Sequence, residues 1–264
     1  MGQVKAIVLR AAGINCDRET EYALEAAGAQ AKSVHINRII EHKDILGQFQ
    51  ILVFPGGFSY GDDVAAGKIL ANQVVHHLLE AVKKFIDAGK LVLGICNGFQ
   101  VLVKAAILPG NHEPRATSHE PQVTITYNDS GKYEDRWVYL APQTDRCVFI
   151  EPDRQIYLPI AHAEGKIVTK DPASLDKLKA AGHVAFKYVD KNGTEGDYPI
   201  NPNGSMGSIA GLTDKTGRVL GLMPHPERYT RHTQHPHWSQ LEKKDAGDGM
   251  IIFNNAVRYI QGNF

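Results

Sequence analysis

Residues 91–105, LVLGICNGFQVLVKA, decide how this chain is read. Leu91 to Gly94 is a short apolar run without alternation, the pattern of a strand buried on both faces. Gly94-Ile95-Cys96-Asn97-Gly98 breaks that pattern, and from Phe99 onward the apolar spacing is helical. A strand, a G-x-C-x-G bend and a helix have the form of a nucleophile elbow. The glycines permit a turn too tight for a Cβ. The apex residue then projects from the strand end over the N-terminus of the next helix. Free N–H groups and the helix dipole there favour a thiolate and a developing oxyanion. Cys96 is therefore the candidate nucleophile. The plain alternative is a buried cysteine at a strand end, and the elbow alone does not choose between them.

Upstream of the elbow, strands and helices alternate. Val4 to Leu9 reads as a strand, followed by a loop over 10–17 in which Asp17 is a plausible N-cap. Arg18 to Ala27 reads as a helix stopped by Gly28. Ala31 to Ile36 and Ile51 to Phe54 read as strands, the second running straight into Pro55-Gly56-Gly57. Helical periodicity then extends from Lys68 to Ala88. This order predicts right-handed βαβ units: an α/β fold, flavodoxin-like, with an open, mainly parallel sheet and helices on both faces. Ligands bind beyond the carboxyl ends of such strands, which places the 10–17 loop, the 55–67 loop and the elbow at one edge.

Beyond Pro109-Gly110 the texture becomes β-rich. Residues 111–120 are polar. Val123 to Tyr127 and Trp137 to Tyr139 read as antiparallel strands around a turn at 128–131, with further short strands near 146–150, 156–160 and 184–189 and a short helix over 172–182. Residues 192–205 form a long turn-rich loop. Val219 to Met223 is another buried strand, and Met250 to Ile260 a closing amphipathic helix. With no flexible linker between the halves, residues 1–264 read as a single domain.

The composition narrows the function classes. Lys+Arg and Asp+Glu both number 29 among 264 residues, so no basic excess points to nucleic acid. Three cysteines without a C-x-x-C support neither a disulfide framework nor a cysteine zinc site. No apolar run reaches the length of a membrane span, and the first residues read as a strand rather than a signal peptide. The expectation is a soluble cytoplasmic protein with no resident metal. His232, His235 and His237 have a ligand-like spacing but no fourth ligand, and read as exposed. No role emerges for Cys147.

A nucleophilic thiol needs a base, and the base needs an orienting group. Pro224-His225-Pro226-Glu227-Arg228 follows the strand at 219–223. An extended backbone would turn His225 and Glu227 to one side. His225 would take the Cys96 proton, and Glu227 would hold the ring. Gly57, at the end of a strand, and Asn97, just after the nucleophile, are candidates to donate backbone N–H groups to an oxyanion.

These segments together resemble the class I (triad) glutamine amidotransferases. The resemblance rests on GICNGFQ at 94–100, FPGGFSYGDD at 54–63, the HPE at 225–227, VLRAAGINCDRET at 8–20, PIAHAEGK at 159–166 and NPNGSMGSIAGL at 201–212. It is closest to the branch that supplies ammonia for amination of formylglycinamide ribonucleotide in purine biosynthesis. The resemblance implies that Cys96 attacks the glutamine amide and forms a γ-glutamyl thioester. It also implies that Gly56 and Gln100 contact the substrate. The 58–63 loop and PIAHAEG are candidates to hold its α-amino and α-carboxylate groups. No G-x-x-x-x-G-K-[ST] phosphate loop occurs. The expectation is therefore no cofactor in this chain, with ATP and magnesium on a large synthetase subunit, and a small bridging subunit as a further partner. Two rivals remain open: a stand-alone cysteine hydrolase, and a binding subunit with an idle triad.

Overall fold

The computed structural model describes residues 2–110 and 123–264; the polar 111–120 stretch lies outside the described residues. The elements follow as β1 (Lys5–Arg10), α1 (Asp17–Ala26), β2 (Gln30–His35), α2 (Ile36–Glu41), β3 (Ile51–Phe54), α3 (Lys68–Gln73), α4 (Leu79–Asp87), β4 (Leu91–Ile95) and α5 (Asn97–Lys104). Then come β5 (Val123–Thr126), β6 (Glu134–Pro142), β7 (Ile156–His162), β8 (Lys166–Thr169), α6 (Pro172–Ala180), β9 (Val184–Val189), β10 (Ile209–Thr213), β11 (Val219–Leu222) and α7 (Met250–Asn263).

Nine strands form one sheet in the order β2-β1-β3-β4-β11-β10-β9-β6-β7. The first five are mutually parallel; from β11 onward every pairing is antiparallel. All residues of β3, β4 and β11 are buried, as expected of strands covered on both faces. Helices supply that cover: α1 packs with α7, and α5 with α3. Register aligns the strand ends. Phe54 lies opposite Gly94, and Leu222 opposite Ile95. The segments after β3, β4 and β11 therefore leave the sheet from one edge. Far-apart stretches of chain, near residues 57, 96 and 225, meet there.

Several local expectations are corrected. The N-cap of α1 is Cys16; Asp17 is the first helical residue and pairs with Arg10 at 2.7 Å. The helical run over 68–88 is interrupted by a π-turn at Val74–Leu78, whose Val74 and Leu78 stay buried. Residues 146–150 are turns rather than a strand, anchored by the Val148 N–H on the Gly217 carbonyl at 3.0 Å. The strands flanking 128–131 do not pair with each other: β5 pairs β8 in a separate two-stranded sheet, and β6 pairs β7 and β9. Asn128 explains the divergence. Its N–H bonds to the Ala163 carbonyl at 2.9 Å, and its side chain donates to the carbonyls of Lys132 and His162. The chain is thus pinned to the β7–β8 turn as it passes between sheets.

Candidate active site

The elbow is a strained turn. Cys96 has φ 49° and ψ −105°, a conformation that costs a non-glycine residue about 1–3 kcal/mol and persists only where the surroundings enforce it. Its N–H donates to the Leu222 carbonyl at 2.8 Å, and its carbonyl accepts from the Gln100 N–H at 3.0 Å. The glycines on either side permit close approach. A Cβ on Gly98 would lie 1.8 Å from the Phe54 carbonyl oxygen, and one on Gly94 would lie 2.9 Å from that of Gly98. The thiol is buried, with Sγ 3.8 Å from the Ala161 carbonyl of β7.

His225 and Glu227 come together as expected, but through different backbone geometry. Pro226 to Arg228 form a single turn of 3₁₀ helix rather than an extended run. Within it His225 Nδ1 lies 2.6 Å from Glu227 Oε1, and both side chains are buried. The His225 N–H donates to the Pro159 carbonyl at 2.8 Å, which docks the dyad on β7. Burial opposes a charged ring. The charges of Glu227 and of Cys96 outweigh that penalty and hold His225 well above the ordinary histidine range. With Nδ1 on Glu227, Nε2 is the nitrogen left for chemistry; it is buried without a hydrogen-bond partner.

The segment after β3 is set by the loop after β1. Gly57 pairs with Ile14 in an isolated bridge, the Phe58 N–H donates to Gly13 and the Cys16 N–H to Gly56. Gly57 has φ +140°, and a Cβ there would lie 2.8 Å from the backbone of Ile14 and Asn15. Gly56 borders the dyad directly, since a Cβ on it would lie 2.8 Å from His225 Cε1.

Asn97 and Gln100 belong to a buried polar network. Asn97 Nδ2 donates to Asp62 Oδ1 at 3.1 Å and to Gln100 Oε1 at 3.0 Å, while its Oδ1 accepts from the Ser59 N–H. Gln100 Nε2 donates to the Glu164 carbonyl. The Glu164 carboxylate in turn accepts from the Ala66 N–H. Burial, joined by the nearby Glu164 charge, pushes Asp62 upward against the hydrogen bonds that favour its ionised form. Gln100 therefore braces the 162–165 turn against α5. The 58–63 loop and PIAHAEG, read separately from the sequence, are tied together through it.

Three further residues join the site: Cys16, expected to be structural or near its edge, His162 of the PIAHAEG segment, and Arg228, to which the motifs gave no role. Cys16 Sγ, a His225 ring nitrogen and a Glu227 carboxylate oxygen lie within 4.8 Å of one another. Arg228 donates from Nη2 to Cys16 Sγ at 3.0 Å and from Nε to Glu19 at 3.3 Å. His162 is buried, with Nδ1 3.1 Å from Asn128 Oδ1, which also accepts from the Gly165 N–H. Burial, then the His225 charge, depresses His162 to about 3. The INCD and PHPER segments hold the signal for Cys16 and Arg228, but only folding places them in contact.

The histidine-rich stretch differs from expectation. His235 is buried, its ring 4.4 Å from that of Trp137 and in contact with Tyr157 and Tyr229. It packs as an aromatic side chain rather than standing in solvent. Among the described residues no helix is long and apolar enough to cross a membrane.

What the geometry can do is nucleophilic acyl chemistry. A strained thiol at a helix N-terminus and an imidazole oriented by a carboxylate meet at one sheet edge, bordered by Gly56 of the segment after β3. Comparison with known proteins agrees. Residues 3–260 match the CobB/CobQ-like glutamine amidotransferase domain. The chain is 46% identical to the phosphoribosylformylglycinamidine synthase subunit PurQ of Dehalococcoides mccartyi, over 98% of each chain. It is 38% identical to the subunit of the same name from Archaeoglobus fulgidus, again over 98% of each. The solved structure of PurLQS from Thermotoga maritima superposes with a TM-score of 0.71 at 30% identity, covering 98% of this chain and 100% of the matched one. By fold, sequence and the make-up of this sheet edge, the chain belongs to the CobB/CobQ-like glutamine amidotransferase family.

Proposed function

We propose that this chain is the glutaminase subunit of a phosphoribosylformylglycinamidine synthase, and that Cys96 is its nucleophile. His225 Nε2 takes the thiol proton, and the thiolate attacks the side-chain amide carbon of glutamine. The Gly57 and Asn97 N–H groups carry the negative charge of the tetrahedral intermediate. The C–N bond then breaks, the nitrogen takes the proton back from His225, and ammonia leaves a γ-glutamyl thioester on Cys96. Water, deprotonated by His225, attacks the thioester; the C–S bond breaks and glutamate is released. Glu227 keeps Nδ1 occupied throughout, so that Nε2 alone exchanges protons.

The observation that carries this reading is the strained Cys96 elbow beside the buried His225–Glu227 dyad. The relatives named above extend it to a synthetase partner, as does the T. maritima complex. Ammonia made here would be used on that partner, which would also hold ATP and magnesium, with a small bridging subunit completing the assembly. The docking surface would lie over the carboxyl edge of the sheet, where the large apolar side chains Phe58, Val64 and Tyr133 stand exposed.

The test is glutamate release from glutamine by the purified chain, alone and with synthetase subunits, ATP and formylglycinamide ribonucleotide. Release that rises sharply in the full mixture is expected. Cys96→Ser should abolish glutamine-dependent amination and spare the ammonia-dependent reaction. Survival of glutamine-dependent amination in that variant would refute the assignment.

A further inference from the structure

The side of the His225–Glu227 pair marked by Gly56 carries a second side-chain assembly, running from the buried Cys16 out to the exposed Glu19, that the reaction steps above do not use. It has three parts on two elements. Cys16 caps α1, Glu19 lies in the first turn of α1, and Arg228 ends the catalytic 3₁₀ turn. The guanidinium spans the other two, with Nη2 on Cys16 Sγ at 3.0 Å and Nε on Glu19 at 3.3 Å. Cys16 Sγ in turn lies within 4.8 Å of a His225 ring nitrogen and of a Glu227 carboxylate oxygen. A Cβ placed on Gly56 would lie 3.2 Å from Cys16 Sγ and 2.8 Å from His225 Cε1, so the thiol, the ring and the oxyanion-loop backbone close on one point.

A thiol, an imidazole and a carboxylate at this spacing can serve as metal ligands. Here, however, a cation is already supplied by the protein: Arg228 makes the contact with sulfur that a metal ion would need. Nor is Cys16 placed as a second nucleophile. Its Sγ donates to Asn15 Oδ1 at 3.2 Å while accepting from Arg228, the two-way bonding of a neutral thiol, and burial raises it further from ionisation.

We infer that Arg228 and Cys16 are positioning residues that hold the His225–Glu227 dyad and set the pH range in which it works. This deepens the glutaminase reading above and rests on it. The physical basis is charge and reach. Arg228 is a permanent cation close to Glu227, and it opposes addition of a second positive charge on His225. Glu227 alone would hold the imidazolium too firmly to return its proton to the leaving nitrogen. Cys16 fixes where that cation sits, and its backbone ties the same point to Gly56 through the Cys16 N–H. Besides Glu19, the titratable groups facing this assembly among the described residues are Cys96 from the elbow, His162 from β7 and Tyr133 from the turn before β6. None of these supplies a second permanent cation.

The test is the pH profile of kcat and kcat/KM for glutamate release, using the full chain with its synthetase partner. Arg228→Gln should lower kcat about tenfold or more and move the acid limb up by about one pH unit. Arg228→Lys keeps the charge and loses the fork, so it should return the acid limb while leaving kcat reduced. Cys16→Val removes the acceptor at similar volume and should reproduce part of the Gln effect; Cys16→Ser should fall between Val and wild type. Melting temperatures show which variants fold, and if Arg228→Gln does not, the Lys and Val variants decide. Wild-type kcat and acid limb in folded Gln or Val variants would overturn the inference. Inactive Cys96→Ser alongside such a result would leave the glutaminase reading intact, whereas active Cys96→Ser would remove both.

Discussion

At the scale of the residue, function turns on which proton sits where. Glu227 is the main favourable charge on His225, acting against burial. Glu227→Gln keeps the shape and loses the charge. Glutamate release should fall about 10²–10³-fold, an order of magnitude set by the general acid–base contribution, and the acid limb should move to lower pH as the imidazolium loses its partner. An unshifted limb would show that Glu227 does not govern the titration. The sign for stability follows from the same shift. His225 is raised, so its contribution is complete below the unfolded histidine value of about 6.5 and is lost as pH rises through its folded value. His162 behaves oppositely. Held neutral and depressed to about 3, it contributes fully above about 6.5 and loses that contribution as pH falls toward the folded value. The slope is about 1.4 kcal/mol per pH unit. Urea denaturation at pH 7.5, 6 and 5 should show a steeper loss for the wild type than for His162→Gln; equal slopes would exclude His162 as a source of acid sensitivity.

At the scale of the element, the elbow is the most constrained feature. Helix α5 starts so close to β3 that a Cβ on Gly98 meets a backbone carbonyl at 1.8 Å, and backbone cannot rotate aside as a side chain can. Gly98→Ala should therefore destabilise by about 3 kcal/mol or more, as overpacking against fixed atoms does. It should also lower glutaminase activity through displacement of Cys96. A melting temperature within a degree of wild type would mean that α5 can shift without loss. The same closeness explains why the sequence signal was strong here: G-x-C-x-G records a steric requirement that few other sequences satisfy. Elements β8 and β10 left no such mark. They are short, and each is paired with a strand distant in sequence, β8 with β5 and β10 with β9, rather than marked by its own periodicity.

At the scale of the whole molecule, the parallel half of the sheet presents the site and the antiparallel half closes it. β7 docks the dyad through Pro159 and approaches Cys96 through Ala161. The loop after β3 carries Val64, which is 71% exposed at the active-site edge. An aspartate there would place a charge in an interface whose core should be apolar. Val64→Asp should weaken co-elution with the synthetase subunit and reduce the stimulation of glutamate release by that partner. Full stimulation and unchanged co-elution would move the docking surface elsewhere.

The sequence by itself determined the α/β alternation, the elbow, the identity of Cys96, His225 and Glu227 as a set, and the family resemblance. These are legible because they depend on local backbone chemistry: apolar runs of strand length, glycines where a Cβ cannot fit, and a proline-flanked His and Glu two residues apart. Only the tertiary structure decided that Pro226–Arg228 is a 3₁₀ turn and that β5 leaves β6 for β8. The same holds for Gln100 bracing the 162–165 turn, His235 packing among aromatic rings, and Cys16 meeting Arg228 across 212 positions of chain. All but the 3₁₀ turn, whose bonds are local, depend on which surfaces the sheet order and register bring into contact. For those, no window of sequence contains both partners, so no local pattern could announce them.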